Sequence, residues 1–249
     1  MNLKSNVRDI IYFPVSDSAL RMDFGKAIDL NINDSVRLIY SAVKARPFNG
    51  VYEIIPSYCS ILFIFDPDIT NYKVIVKQLK KLLKSSNKQD SIRPRLIHIP
   101  VCYDNEFGED INDVAEYTKL SVKDIIEMHS KPNYLIYMLG FLPGFAYLGG
   151  LNKKLITPRL QKPRTKILAG AVGIGGEQTG IYPLESPGGW RLIGRTPIKP
   201  YDPYRDEPFL YKAGDYVKFE SISKDEYYNI EKEVEAHKYS LKQGFFDEI

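Results

Sequence analysis

The sequence predicts two domains of different class: an α+β domain over residues 1–90, then a mainly-β domain, barrel or sandwich, over 91–249. Three observations predict this. The first third alternates strand-length apolar runs with two helix-length apolar stripes. A polar run at 85–91, SSNKQDS, interrupts that pattern. From 134 to 195 glycine, proline and aromatic residues crowd together. Such a stretch cannot be a helical bundle and reads as tight turns between short strands.

Taken in order, 10–15 and 19–24 read as strands around the Ser16-Asp17-Ser18 turn. Asn33 is the expected cap of a helix over 34–46, with Val36, Ile39, Tyr40 and Val43 on one face. Pro47 and Asn49-Gly50 end it. Strands follow at 51–55 and 60–65. Asp68 or Thr70 opens a second helix, striped by Val74, Leu79, Leu82 and Leu83. A further strand covers 96–101. The order strand-strand-helix-strand-strand-helix-strand places helices on one face of a mainly antiparallel sheet, a ferredoxin-like layout. Beyond Pro100, 109–117 and 121–129 read as short helices, the second opened by Ser121 and Asp124 at capping-box spacing. Turns at Pro143-Gly144, Gly149-Gly150, Gly175-Gly176, Pro187-Gly188-Gly189 and Ala213-Gly214-Asp215 then punctuate the β region. A charged surface helix over 225–237 closes the chain.

Composition narrows the function classes. Hydrophobic residues make up 44% and charged residues 26%, an ordinary globular balance. The net charge of +3 is too small to argue for nucleic acid. No apolar run reaches membrane-spanning length, and the start, MNLKSNVRDI, lacks an apolar signal core, so the expected location is the cytoplasm. Cys59 and Cys102 lie far apart and read as free thiols. His98, His129 and His237 are scattered without metal-binding spacing, so no metal site is expected.

Several residues are candidates for chemistry. The glycine-rich run 172–180, VGIGGEQTG, lacks the third glycine of a dinucleotide fingerprint and the lysine of a phosphate loop. Two readings stay open for it: a shaped structural loop, or a loop whose Gly175, Gly176 and Gln178 contact an anion. Residues 153–166 carry six cations and no acid. Within them Arg159 and Arg164 follow prolines, and a stiff backbone suits bidentate capture of carboxylate or phosphate. The alternative is a solvated basic loop. His129, near the end of a short helix, either interacts with the helix C-terminus or serves as a general acid or base. Glu185, between Pro183 and Pro187, is a surface carboxylate or a catalytic one. Trp190, the single tryptophan, packs in the core or walls a pocket. No nucleophile elbow appears.

The runs HSKPNY (129–134), YMLGFLPGFAYLGG (137–150), TPR (157–159), PRT (163–165), QTGIYPLESPGGW (178–190) and IGRTP (193–197) resemble the family of 5-oxoprolinase B subunits. That family also contains KipI-type inhibitors of a sporulation histidine kinase and part of the urea carboxylase carboxyltransferase region. The resemblance spans about Pro100 to Phe219. It implies a cyclophilin-like β-barrel for the C-terminal domain. It also implies a direct partner in a 5-oxoprolinase C subunit, a further partner in an A subunit, and ATP with Mg2+ as co-substrate. The implied reaction opens 5-oxo-L-proline to L-glutamate. Such a site must bind a carboxylate, steady a phosphate and deliver a proton to the departing nitrogen. Arg159, Arg164 and Arg195 suit the anions and His129 and Glu185 the acid-base work; Arg159, Arg164, Arg195 and His129 are expected to line one cleft at the barrel mouth, near Gln178 and the Pro187-Gly188-Gly189 turn. The aromatic loop 141–147 is the expected surface for the C subunit, with Phe145 as its test position. The alternatives are a KipI-like regulatory binding protein and, on barrel type alone, a prolyl isomerase.

Overall fold

The structure, a computed structural model, describes residues 10–27, 29–85 and 93–246. The chain forms two compact units, Met1–Ile92 and Arg93–Ile249. Beyond Ser85, the polar run expected as the boundary lies outside the described residues.

The first unit contains β1 (Ile11–Ser16), β2 (Ala19–Asp23), α1 (Leu30–Ala45), β3 (Val51–Pro56), β4 (Ser60–Phe65) and α2 (Tyr72–Ser85). Its sheet runs β1-β2-β4-β3, antiparallel throughout. Period-two alternation sends Leu20, Met22, Ile61, Phe63 and Phe65 to one core with Val36, Ile39, Val43, Ile75 and Leu79. Asp29, not Asn33, caps α1 and accepts from the amides of Asn31 and Ile32. Asn33 is buried in the helix and donates instead to the carbonyls of Ser57 (3.4 Å) and Tyr58 (3.1 Å). Asn71 opens α2, accepting from Val74 N at 3.2 Å, later than the expected Asp68 or Thr70. The strand expected to complete a ferredoxin-like sheet does not join it. The sheet is completed by the β1–β2 hairpin, a pairing of near neighbours that closes with little entropy loss.

That strand is β5 (Arg95–Cys102), and it belongs to the second unit. There follow α3 (Ile111–Thr118), α4 (Val122–Ser130), β6 (Asn133–Leu139), β7 (Ala146–Gly149), β8 (Arg164–Ile167), β9 (Ala171–Gly175), β10 (Gln178–Ile181), β11 (Ser186–Gly188), β12 (Arg191–Arg195), β13 (Tyr216–Ile222), α5 (Lys224–Glu235) and β14 (Gln243–Phe245). Seven strands, β12-β9-β10-β7-β6-β13-β5, form a barrel that closes where Arg195 of β12 meets Cys102 of β5. β14 runs beside the start of β5.

β5 and β13 pair in parallel over seven residues, Leu96–Cys102 with Tyr216–Ile222. Asp215, fully buried, staples this pair: Arg95 Nη2 lies 2.6 Å from Oδ2, and the Lys212 amide donates to the same oxygen at 3.1 Å. The expected Ala213-Gly214-Asp215 turn therefore starts a strand and holds its partner. α4 carries the expected capping box between Ser121 and Asp124, and α5 carries one between Ser223 and Glu226. Among the described residues, no helix is long and apolar enough to cross a membrane.

Candidate functional site

The glycines of the β9–β10 hairpin make a floor. Along β9, Val172 and Ile174 point into the barrel core, so Gly173 and Gly175 face outward. On β10, Thr179 and Ile181 point inward and Gly180 outward. Trp190 lies on this floor. A methyl group at Gly175 would overlap the indole Nε1, and one at Gly180 would stand 3.2 Å from Cζ3. Phe145, Tyr182 and Leu192 pack around the indole, with Phe145 edge-on at 5.5 Å and Tyr182 at 6.1 Å. Trp190 is thus a packed residue whose ring replaces the absent side chains beneath it.

One cation sits over this cluster. The Arg159 guanidinium lies 5.9 Å from the Trp190 ring centroid. Arg159 is exposed, and among the described residues no carboxylate lies within ion-pair distance of it. Its loop is fixed by Leu160 N donating to Gly189 O at 2.7 Å. Burial raises the Tyr182 phenol. The Trp190 amide donating to its oxygen, and the charges of Arg159 and Arg164, act the other way.

Arg164 belongs to the same neighbourhood but is committed. It donates to Asp110 Oδ1 at 2.7 Å, while Asp110 Oδ2 accepts from Leu192 N at 2.7 Å. Glu109 adds a longer contact at 3.4 Å. Asp110 is buried, so Arg164 neutralises a carboxylate that ties the start of α3 to β12.

The remaining predicted residues lie elsewhere. Arg195 stands at the opposite end of the β9–β12 pairing and donates through Nε to Ala169 O at 2.9 Å. Glu185 is exposed and pairs with Lys166 at 2.8 Å along the β8–β11 ribbon. Gly176, at φ +67°, turns the hairpin, and its amide already donates to Thr157 O at 2.8 Å. Gln178 pairs with Gly175 across that turn.

His129 is fully buried inside the barrel rather than at its mouth. It stacks on Phe219 at 4.6 Å. Its Nδ1 lies 2.7 Å from Tyr103 Oη and its Nε2 2.8 Å from Thr179 Oγ1. The Thr179 hydroxyl donates its one proton to Gly173 O at 3.0 Å, so it accepts from Nε2–H. Nδ1 is then bare and accepts from Tyr103. The tautomer follows from this chain of bonds, and the imidazole is neutral. Burial pushes its pKa down to about 3. No ring proton is left for an outside molecule, and the histidine acts as a strut between α4 and the hairpin.

Sequence reasoning missed Tyr182, the Asp110 partner and the Tyr103–Thr179 pair. The aromatic density near Trp190 was the available signal for Tyr182. The other partners lie 54, 26 and 50 residues from the side chains they bind, and no local pattern marks them.

Comparison with known proteins now places the chain. Residues 10–211 match the family model for the carboxyltransferase domain, subdomains C and D. The 5-oxoprolinase B subunit of Bacillus subtilis strain 168 is 37% identical over 229 residues, covering 88% of this chain and 95% of that protein. The crystal structure of TTHA0988 is 35% identical with a TM-score of 0.74, over 84% of this chain. This chain spans only 40% of that longer one. The urea amidolyase of K. lactis, 22% identical with a TM-score of 0.78, covers 94% of this chain and 16% of its own, a likeness of fold alone. The chain belongs to the carboxyltransferase-domain family of subdomains C and D, together with the 5-oxoprolinase B subunits.

Proposed function

We propose that this chain is the B subunit of an ATP-dependent 5-oxoprolinase, working with a C subunit that it contacts directly and with an A subunit to open 5-oxo-L-proline to L-glutamate. The observation that carries this reading is the near full-length match to the B. subtilis 5-oxoprolinase B subunit. The closed seven-stranded barrel supports the cyclophilin-like assignment of the second unit. The kinase-inhibitor alternative draws no support from the named relatives.

A five-membered lactam is an unstrained amide with a poor leaving group, so its opening needs an activated carbonyl and held anions. This chain's contribution is Arg159. It is exposed over Trp190 on a fixed loop, and a guanidinium there suits the substrate carboxylate. Arg164 and His129 contribute by holding the surrounding frame. ATP with Mg2+ enters as the co-substrate of the complex. Among the described residues no group of three or more His, Cys, Asp or Glu could hold a metal ion by itself, and the hairpin-tip amide donates to Thr157 O.

The test is reconstitution of all three subunits with 5-oxoproline-dependent ATP hydrolysis as the readout. Turnover should require this chain, and its dispensability sinks the reading. Arg159→Lys should raise KM for 5-oxoproline about ten-fold with kcat little changed, because lysine lacks the planar fork. An unchanged KM assigns the carboxylate to another residue.

A further inference from the structure

The backbone of Arg159 is pinned on both sides. Gly176 N donates to Thr157 O at 2.8 Å, and Leu160 N donates to Gly189 O at 2.7 Å. One pin belongs to the β9–β10 hairpin and the other to the turn that leads into Trp190. Pro158 stiffens the chain between them. Neither bond fixes the side chain. A long side chain loose at the surface loses rotamer freedom when a ligand orders it, and that loss weakens binding.

The indole supplies what the backbone does not. At Gly175 a Cβ would stand 2.3, 2.4 and 2.6 Å from Nε1, Cδ1 and Cε2 of Trp190. Three adjacent ring atoms at nearly equal distance mean that β9 meets the face of the ring and not its edge. At Gly180 a Cβ would stand 3.2 Å from Cζ3, at the far end of the same ring. The indole therefore lies across β9 and β10 with one face closed by backbone. Phe145 and Tyr182 stand against it at interplanar angles of 74° and 78°. Phe145 is 2% exposed, so it belongs to this frame and is not the surface residue expected from sequence. The face left over carries the Arg159 guanidinium, 5.9 Å from the ring centroid.

We propose that Trp190 is the positioning residue of this site, and that glycine at 175 sets the height at which its ring holds Arg159. The role rests on the carboxylate site proposed above: it pre-orders the guanidinium before the substrate arrives. Two arginines of one neighbourhood show why a ring suits this task. Arg164 is held by the Asp110 carboxylate at 2.7 Å, and that bond occupies its fork. Arg159 is held by a ring face, which takes no hydrogen bond from it, so its N–H groups stay open to a ligand. A methyl group at 175 would press into the opposite face of the ring and shift the surface on which the cation rests.

The experiment uses the reconstituted three-subunit system and the isolated full chain. Gly175→Ala should raise KM for 5-oxoproline about ten-fold with kcat little changed, and Trp190→Phe about three-fold, because a smaller ring still offers a face. In an Arg159→Ala background neither substitution should move KM further, since the residue they position is gone. Equal rises in both backgrounds would show general damage to the site and overturn the proposal. Trp190→Phe keeps the comparison readable if Gly175→Ala does not fold. Trp190 is the single tryptophan, so its fluorescence reports on the isolated chain without any turnover. Arg159→Ala should change that emission. An emission indifferent to Arg159→Ala would mean that the guanidinium does not rest on the ring and would overturn the proposal. A wild-type complex without 5-oxoproline-dependent turnover sinks the functional reading, and the positioning role then stands or falls on the emission alone.

Discussion

Gly176 and Phe141 hold nearly the same backbone angle, φ +67° and +69°, in two turns that flank the Trp190 cluster. At Gly176 the space where a Cβ would sit is empty to 4 Å. The residue is glycine because the hairpin needs the conformation and nothing else there is asked of a side chain. At Phe141 the same conformation carries the bulkiest kind of side chain, and that side chain is exposed. The difference teaches where to look for function. A left-handed glycine marks a turn, whereas a left-handed, solvent-facing phenylalanine marks a ring that is retained against the preference of its backbone.

The hairpin side of this comparison rests on buried polar bonds, and acid should break it most. His129 has a folded pKa of about 3 against an unfolded value near 6.5. The neutral form is the folded one, so this contribution is complete above pH 6.5. It is lost as pH falls from 6.5 towards 3, because the unfolded chain binds the proton first. The full effect is on the order of 5 kcal/mol, with about 2 kcal/mol already gone at pH 5. Urea unfolding from pH 7.5 to 5 should show this loss, and His129→Gln should flatten it. A pH-independent wild type would contradict the neutral-strut description.

Thr179→Val sharpens the same point at constant shape. It leaves the His129 Nε2–H buried without an acceptor and should cost about 2 kcal/mol, read from the urea midpoint. A neutral effect would mean that the imidazole finds another acceptor. Smallest of all, Gly176→Ala should cost about 1 kcal/mol through strain alone, because no neighbour is near enough to clash. A cost several times larger would show that the tip is packed after all and blur the contrast with Phe141.

The parts legible in the sequence were those set by near neighbours. The strands at β2 and β4, the helix after Ser121 and the turn at Asp215 all follow from alternation, capping spacing and glycine placement within a few residues. The destination of β5 was not legible. Its apolar run fits either sheet, and its parallel partner β13 lies more than a hundred residues further on, where no local pattern marks it. The site divides in the same way. Arg159 could be singled out from its proline-stiffened loop, but Arg164 looks identical from sequence and is consumed by Asp110, 54 residues away. His129 carried the residue type of an acid-base catalyst. Its role as a strut depends on Tyr103 and Thr179, which folding alone brings to it.

The parallel pairing of β5 with β13 has a consequence for how the protein is made. Arg95 and Asp215, which staple that pair, are 120 residues apart. A ribosome adding about 5–20 residues per second needs on the order of ten seconds to pass from one to the other. For most of that interval β5 exists without its neighbour, an apolar strand with an unpaired edge. The barrel is therefore a late event in synthesis, and nascent chains stalled between α3 and β13 are the ones most in need of a chaperone.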